Sequence, residues 1–189
     1  MRRLVSATAA MICAGLLGGC GILIGSVKPI TGKSDAYSFT APSKKDSEWK
    51  ALPSDTQNAD GEALEPAVDV SDRSWQHHRS GAIVSINSAC RPSYGYASEP
   101  LRKYTDLLLL GFMDLKDREE QTLALQGLDA LQTTVQGKVE GRTVKIRTVV
   151  TRRIECLYDL MYVAKPAIFG EQLDDFTKFV QSLKFDDAG

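Results

Sequence analysis

The chain has 189 residues, with 23 Lys and Arg set against 24 Asp and Glu, for a formal charge of −1. That length suits one domain with a sizeable core. The near-neutral balance argues against a broad nucleic-acid-binding surface.

Met1-Arg2-Arg3 is a positively charged start, and Leu4 to Leu17 is an uncharged apolar run. Gly18 and Gly19 are small residues immediately before Cys20. This is the layout of a secretory signal peptide, and it is set aside from fold reasoning. Leu17-Gly18-Gly19-Cys20 resembles the lipobox of bacterial lipoproteins. The resemblance implies cleavage before Cys20, a diacylglyceryl group on its thiol and acylation of the freed amine. Several acyl chains are needed because one chain anchors only marginally. The implied organisation is a signal peptide over 1–19, a lipidated tether over 20–35 and a globular domain over 36–187. The domain would then face the periplasm or the cell exterior. Gly21 stands where an Asp resembles an inner-membrane retention signal, which favours the outer membrane. An uncleaved spanning anchor is the alternative, because the uncharged run continues to Val27 and is long enough to cross a bilayer. Without Arg2 and Arg3 the mature chain holds 21 basic and 24 acidic residues, a charge of about −3.

Cys13 lies in the leader and Cys20 in the lipobox, so Cys90 and Cys156 remain. Two leftover cysteines commonly pair in an oxidising compartment. Each shares its parity with buried-looking neighbours: Val84 and Ile86 for Cys90, Ile154 and Tyr158 for Cys156. A disulfide between two strands and a pair of buried free thiols are both compatible with that pattern.

The domain opens with short strands at Tyr37–Ala41 and Glu48–Leu52, the first stopped by Pro42. Residues 53–65 form a polar loop, and Ala67–Val70 fits a short strand or a loop. Arg73–His78 and Ala82–Cys90 read as a hairpin around Ser80-Gly81. After a loop carrying Tyr94 and Tyr96, the spacing predicts a helix from Glu99 to Phe112, with Ser98 as cap and Pro100 in the first turn. Leu101, Tyr104, Leu107, Leu108 and Phe112 form its buried face, and the run Leu107–Leu110 suggests cover on more than one side. Strands follow at Arg118–Leu125, Ala130–Val139, Arg142–Thr151 and Ile154–Ala164. The last is apolar on both faces and therefore central. A helix over Ile168–Lys184 buries Leu173, Phe176, Val180 and Leu183. The order implies an α+β fold, an antiparallel sheet of about six strands packed between helices.

Tyr37-Ser38-Phe39, Pro42 and Trp49, the meander Leu131–Ala164 and the ending Tyr162-Val163-Ala164-Lys165-Pro166 together resemble the PsbP-like superfamily. That group includes DcrB-like and LpqN-like lipoproteins. The resemblance runs from about Tyr37 to Phe185 and rests on pattern and element order. It implies an α/β/α sandwich with a binding or assembly role, and it carries over no catalytic residue.

The chemical candidates are few. His77 and His78 are adjacent on a strand and so point to opposite faces, which does not suit joint metal ligation. No metal or other cofactor is expected. Ser88-Ala89-Cys90 with His77 lacks an orienting third group, and no nucleophile elbow, phosphate loop or zinc-protease motif is present. Lys138, Arg142, Lys145, Arg147, Arg152 and Arg153 concentrate positive charge along the meander. They would meet anionic head groups or an acidic partner if they share a face. Asp114, Asp117, Glu119 and Glu120 form a smaller acidic group. Tyr94 and Tyr96 fit a recognition tip or a loop anchor equally well. Together these features predict a membrane-anchored, non-enzymatic module that binds an envelope protein or component. Its partner-binding candidates are Tyr94, Tyr96, Arg142, Lys145 and Arg147, and it would take no nucleic acid. Capture of a small ligand or metal near His77 is the second reading, and an envelope enzyme the third.

Overall fold

Two tight turns set the register of the sheet. Gln126-Gly127 and Glu140-Gly141 each place both turn residues at positive φ (52° and 79°; 49° and 75°). This is the backbone of a two-residue turn whose twist matches the strands on either side, and glycine in the second position adopts it without strain. The structure is a computed structural model and describes residues 37–42, 48–52, 73–90, 100–154 and 156–185. The leader, Cys20, the tether, Ala67–Val70, and the loop of Tyr94 and Tyr96 lie outside the described residues.

The strands are β1 (Tyr37–Ser38), β2 (Trp49–Ala51), β3 (Arg73–His77), β4 (Ile83–Cys90), β5 (Met113–Leu125), β6 (Leu128–Val139), β7 (Arg142–Arg153), β8 (Cys156–Ala164) and β9 (Lys184–Phe185). The helices are α1 (Leu101–Leu108) and α2 (Leu173–Gln181). Seven strands form one antiparallel sheet in the order β2-β3-β4-β8-β7-β6-β5, and β1 pairs with β9 separately. The fold is α+β, as expected. The main sheet has seven strands rather than about six because the short β2 joins its edge.

β8 lies mid-sheet and is buried along nearly its whole length. Its odd-numbered residues face α1, where Leu157, Met161 and Val163 pack with Val135, Ile146, Val150, Tyr104, Leu108, Leu109 and Phe112. Its even-numbered residues face α2, where Leu160, Tyr162 and Ala164 pack with Trp75, Val84, Ile86, Phe176, Phe179 and Leu183. A sheet covered on both faces has no solvated side, which is why β8 is apolar at both parities.

Three helix expectations are corrected. α1 ends at Leu108 and passes through a 3₁₀ turn at Leu109–Gly111. Only one side of it meets the sheet, so Leu108 and Leu109 are buried while Leu107 and Leu110 are 45% and 64% exposed. The cap position before α1 is held by Pro100, which makes no side-chain capping hydrogen bond. α2 begins at Leu173, after a 3₁₀ turn at Pro166–Ile168, and buries Phe179 beside the expected Phe176 and Val180. β5 starts five residues before its predicted start at Arg118. Its first part carries two irregularities in register, with Asp114 and Asp117 at positive φ (51° and 54°). Such bulges break period-two alternation and blunt an edge strand against further pairing.

Cys90 and Cys156 are direct cross-strand partners of β4 and β8, with Cα atoms 4.0 Å apart, and they form a disulfide. Free thiols are therefore excluded for this pair.

Candidate functional site

Antiparallel pairing of β4 with β8 aligns Ile83 with Val163. The β3–β4 turn and the chain leaving β8 therefore emerge at the same end of the sheet. Between them lies a cleft of about 420 Å³, lined by Glu48, His77, Arg79, Ser80, Lys165, Ile168, Glu171 and Gln172. Its volume falls in the usual range for small-molecule sites.

The first wall is the hairpin, and its polar groups satisfy one another. His77 is 4% exposed, and its ring packs edge-on to Trp49 with centroids 5.2 Å apart. The Ser80 N–H donates to His77 Nδ1 at 3.2 Å, so Nδ1 is the unprotonated nitrogen and the proton sits on Nε2. Nε2 faces Glu48 Oε2 at 3.4 Å, and Arg79 Nη2 lies 3.3 Å from the other Glu48 oxygen. The Ser80 hydroxyl lies 2.9 Å from Nδ1. Serine, imidazole and carboxylate thus stand in line, an arrangement the sequence reading did not find. Acyl transfer also needs N–H donors free to hold an oxyanion. Here the Ser80 N–H is spent on His77 Nδ1, the Gly81 N–H on the His77 carbonyl and the Ala82 N–H on Ser80 Oγ. The line locks the turn.

The second wall is the connection from β8 to α2. It hangs from Tyr162, whose buried hydroxyl donates to the Phe169 carbonyl at 2.9 Å. Burial pushes the phenol's pKa up to about 12. This wall is unsatisfied. Gln172 is 9% exposed, and its side-chain carbonyl oxygen has no hydrogen-bond partner among the described residues. Its amide nitrogen reaches Glu171 Oε2 only at 3.5 Å. A buried acceptor left unpaired is costly, and this one is closed to solvent, so it is a local cost of the fold and not a group that the open cleft presents. Trp49 ties the two walls together by donating Nε1–H to Asp175 Oδ2 at 3.0 Å.

The structure separates the other sequence candidates. Lys145 and Arg147 share the α2 face and lie over the Phe169 ring at 5.2 and 5.8 Å. Arg147 also donates Nε–H to Thr134 Oγ1 at 2.9 Å, and burial lowers its pKa from the ordinary guanidinium range. Arg142, at the opposite parity, does not join them, so the basic run does not share one face. Lys138 instead pairs with Asp114 at 2.8 Å beside a second hollow of about 270 Å³, and it holds that carboxyl below its usual range. Within the acidic group, Glu120 is taken by Arg118 at 2.6 Å. His77 and His78 do not point apart as expected. His78 lies beyond the strand end, in the turn, and the two rings sit 5.9 Å from each other. Among the described residues no group of three His, Cys, Asp or Glu could hold a metal. Cys90 of the Ser88-Ala89-Cys90 segment is committed to the disulfide. Tyr94, Tyr96 and Cys20 lie outside the described residues.

Of the cleft, only His77 was singled out from the sequence. Glu48, Arg79, Ser80, Lys165, Glu171 and Gln172 carry no motif. The signal that could have found them is topological: a β3–β4 turn and a β8 exit placed at one end by antiparallel pairing.

The solution structure of the cyanobacterial PsbP protein CyanoP from Synechocystis sp. PCC 6803 is 13% identical over 90% of this chain and 99% of its own, with a TM-score of 0.53. The fold is PsbP-like. A second structure, from Bacteroides thetaiotaomicron, shares 13% identity over 84% of this chain at a TM-score of 0.51, and this chain spans half of its length. LpqN of Mycobacterium tuberculosis, described as involved in cell envelope biogenesis, overlaps at 12% identity and a TM-score of 0.46 over 82% of this chain and 85% of its own. No family model matches the chain, and no curated protein matches it in sequence. At these identities the PsbP-like likeness extends to the fold alone.

Proposed function

We propose that this PsbP-like chain is exported and lipidated on Cys20, and that it serves as a non-catalytic binding module on the outer side of a membrane. The observation that carries the reading is the Cys90–Cys156 disulfide. Such bonds persist in oxidising compartments and are rare in the cytosol. It therefore supports export independently of the leader. The lipobox-like Leu17-Gly18-Gly19-Cys20 supports an anchor, and Gly21 after the cysteine supports the outer membrane. The ligand or partner meets the cleft between the β3–β4 turn and the β8–α2 connection.

Mass spectrometry and membrane fractionation of Cys20→Ser test the anchor. The expected outcome is an uncleaved chain, without acyl mass and no longer processed like the parent. A variant identical to the parent in mass, processing and membrane retention would end this reading. Density-gradient separation of inner and outer membranes tests the location. Crosslinking in intact membranes tests the partner, which is expected to be enriched over a lipid-only control.

Capture of a small ligand is the second reading, and the size of the cleft favours it. For the enzyme reading, a fluorophosphonate probe is decisive. We expect no labelling of Ser80, and stoichiometric labelling there would replace the binding module with a hydrolase.

A further inference from the structure

We propose that a second copy of this chain pairs with the open edge of β5, antiparallel and across a two-fold axis at Thr122. The inference is independent of what the cleft binds.

The main sheet has two edges. One is β2 (Trp49–Ala51), too short to template much pairing. The other is β5, which has no described strand on its far side. Its first part is guarded by the irregularities between Met113 and Glu119. From Glu119 to Leu125 the register with β6 runs without a break. After Glu119 and Glu120 this stretch holds no charge and no proline, so the devices that normally discourage edge pairing are missing from it.

The register also tells which backbone groups are turned outward. Leu125 and Leu128 flank the Gln126-Gly127 turn and are hydrogen-bonded to each other. Antiparallel pairs alternate, so Leu123, Gln121 and Glu119 also turn their N–H and C=O groups toward β6. Glu120, Thr122 and Ala124 turn theirs away from the sheet, and all three residues are exposed. α1 packs on β7 and β6, inboard of this edge.

Self-complementarity selects a second copy as the occupant. With the axis at Thr122, Thr122 meets Thr122 of the partner subunit, and Glu120 meets Ala124 of the partner subunit. Each such pair exchanges both of its backbone hydrogen bonds. The central side chains are small, and no like charges stand opposite each other. The Glu120 carboxylate is already held by Arg118 at 2.6 Å and by Arg102 of α1 at 3.6 Å. Only this axis pairs all of the outward residues within the unbroken stretch. An axis at Glu120 sets two carboxylates face to face and runs the pairing into the irregularity before Glu119. An axis at Ala124 runs it into the turn. A two-fold pair uses up this edge and closes, instead of growing into a fibre. Because the partner strand runs antiparallel, the two clefts open at opposite ends of the joined sheet.

The test is cysteine crosslinking and sedimentation of the full chain in detergent. Thr122→Cys sets two thiols on Cα atoms about 5.5 Å apart, within disulfide reach. Ala124→Cys sets them about 13 Å apart, beyond it. Under mild oxidation Thr122→Cys is expected to form a covalent dimer at least about tenfold faster than Ala124→Cys. Mixed chains of Glu120→Cys and Ala124→Cys are expected to crosslink to each other. Sharing a micelle affects every variant alike, so the ratio reports the register. Sedimentation equilibrium in density-matched detergent is expected to give twice the mass of one chain for the parent and the mass of one for Thr122→Pro. Proline there removes only an outward N–H. Should that variant fold poorly, Thr122→Lys sets two ammonium groups face to face and is expected to be monomeric too. A monomeric parent would overturn the proposal. So would equal crosslinking of Thr122→Cys and Ala124→Cys, or Thr122→Lys chains that stay dimeric. Thr122→Cys chains that crosslink in membranes only to a different protein would also overturn it, and would give the edge to an extended segment of that protein.

Discussion

Tyr162 holds the corner from which the open wall of the cleft hangs. Replacing it with Phe keeps the ring in its place against Phe169 and Phe176, whose centroids lie 4.9 and 5.6 Å away. It also strips the Phe169 carbonyl of its partner. The expected cost is about 1–3 kcal/mol in urea denaturation. The pH dependence has a definite sign. Burial raises the folded phenol to about 12 from 10.0, so the native state holds this proton more tightly than the unfolded chain. The resulting stability is complete below pH 10 and is lost as pH climbs through the folded value. Tyr162→Phe should flatten that alkaline slope, and an unchanged slope would refute the assignment. Ile154 is a second residue whose backbone invites a test. It is 68% exposed in the β7–β8 turn at φ 53°, a region that β-branched side chains rarely enter. Ile154→Asn is expected to stabilise the protein by about 1 kcal/mol, because Asn tolerates that conformation. A lower midpoint for this variant would mean that the Ile side chain is held by something beyond the turn.

Among the elements, the hairpins were the most legible. Their two-residue turns and alternating flanks leave a single register, and Leu131, Thr133, Val135 and Val139 all face α1 as the alternation required. The start of β5 was hidden because its bulged residues are charged and exposed, which erases the period. The extent of α1 was overread because four consecutive leucines look like helix interior. A helix resting on one side of a sheet buries only part of such a run. The disulfide joins elements that sequence separates by 66 residues. Closing a loop of that length is worth about 4 kcal/mol on the chain-entropy account. The double variant Cys90→Ser, Cys156→Ser should therefore unfold at markedly lower urea, and reduction of the parent should move its midpoint the same way. A parent insensitive to reduction would show that the bond contributes little.

At the level of the whole molecule, apolar periodicity carried the fold and left the site almost unread. Phe176, Val180 and Leu183 reveal a helix packed on a sheet because their spacing repeats. Glu48 and Gln172 repeat nothing and are 124 residues apart by their numbering; only the folded sheet brings them to one cleft. The buried carboxylate of Asp159, which accepts from Asn87 Nδ2 at 2.7 Å, was equally invisible within an apolar strand.

The two ends of the sheet are not equivalent. Tyr37, where the described chain begins, packs on Tyr158 near the start of β8, whereas Lys165 on the cleft rim follows the end of that strand. Seven residues of strand set these points about 23 Å apart. If Cys20 is fastened to lipid, residues 20–35 add a leash of at most about 55 Å. That leash is longer than the separation, so an anchor at Cys20 leaves the domain free to turn either end of the sheet toward the bilayer, and an occupant of the cleft can be met in the aqueous layer or at the lipid surface.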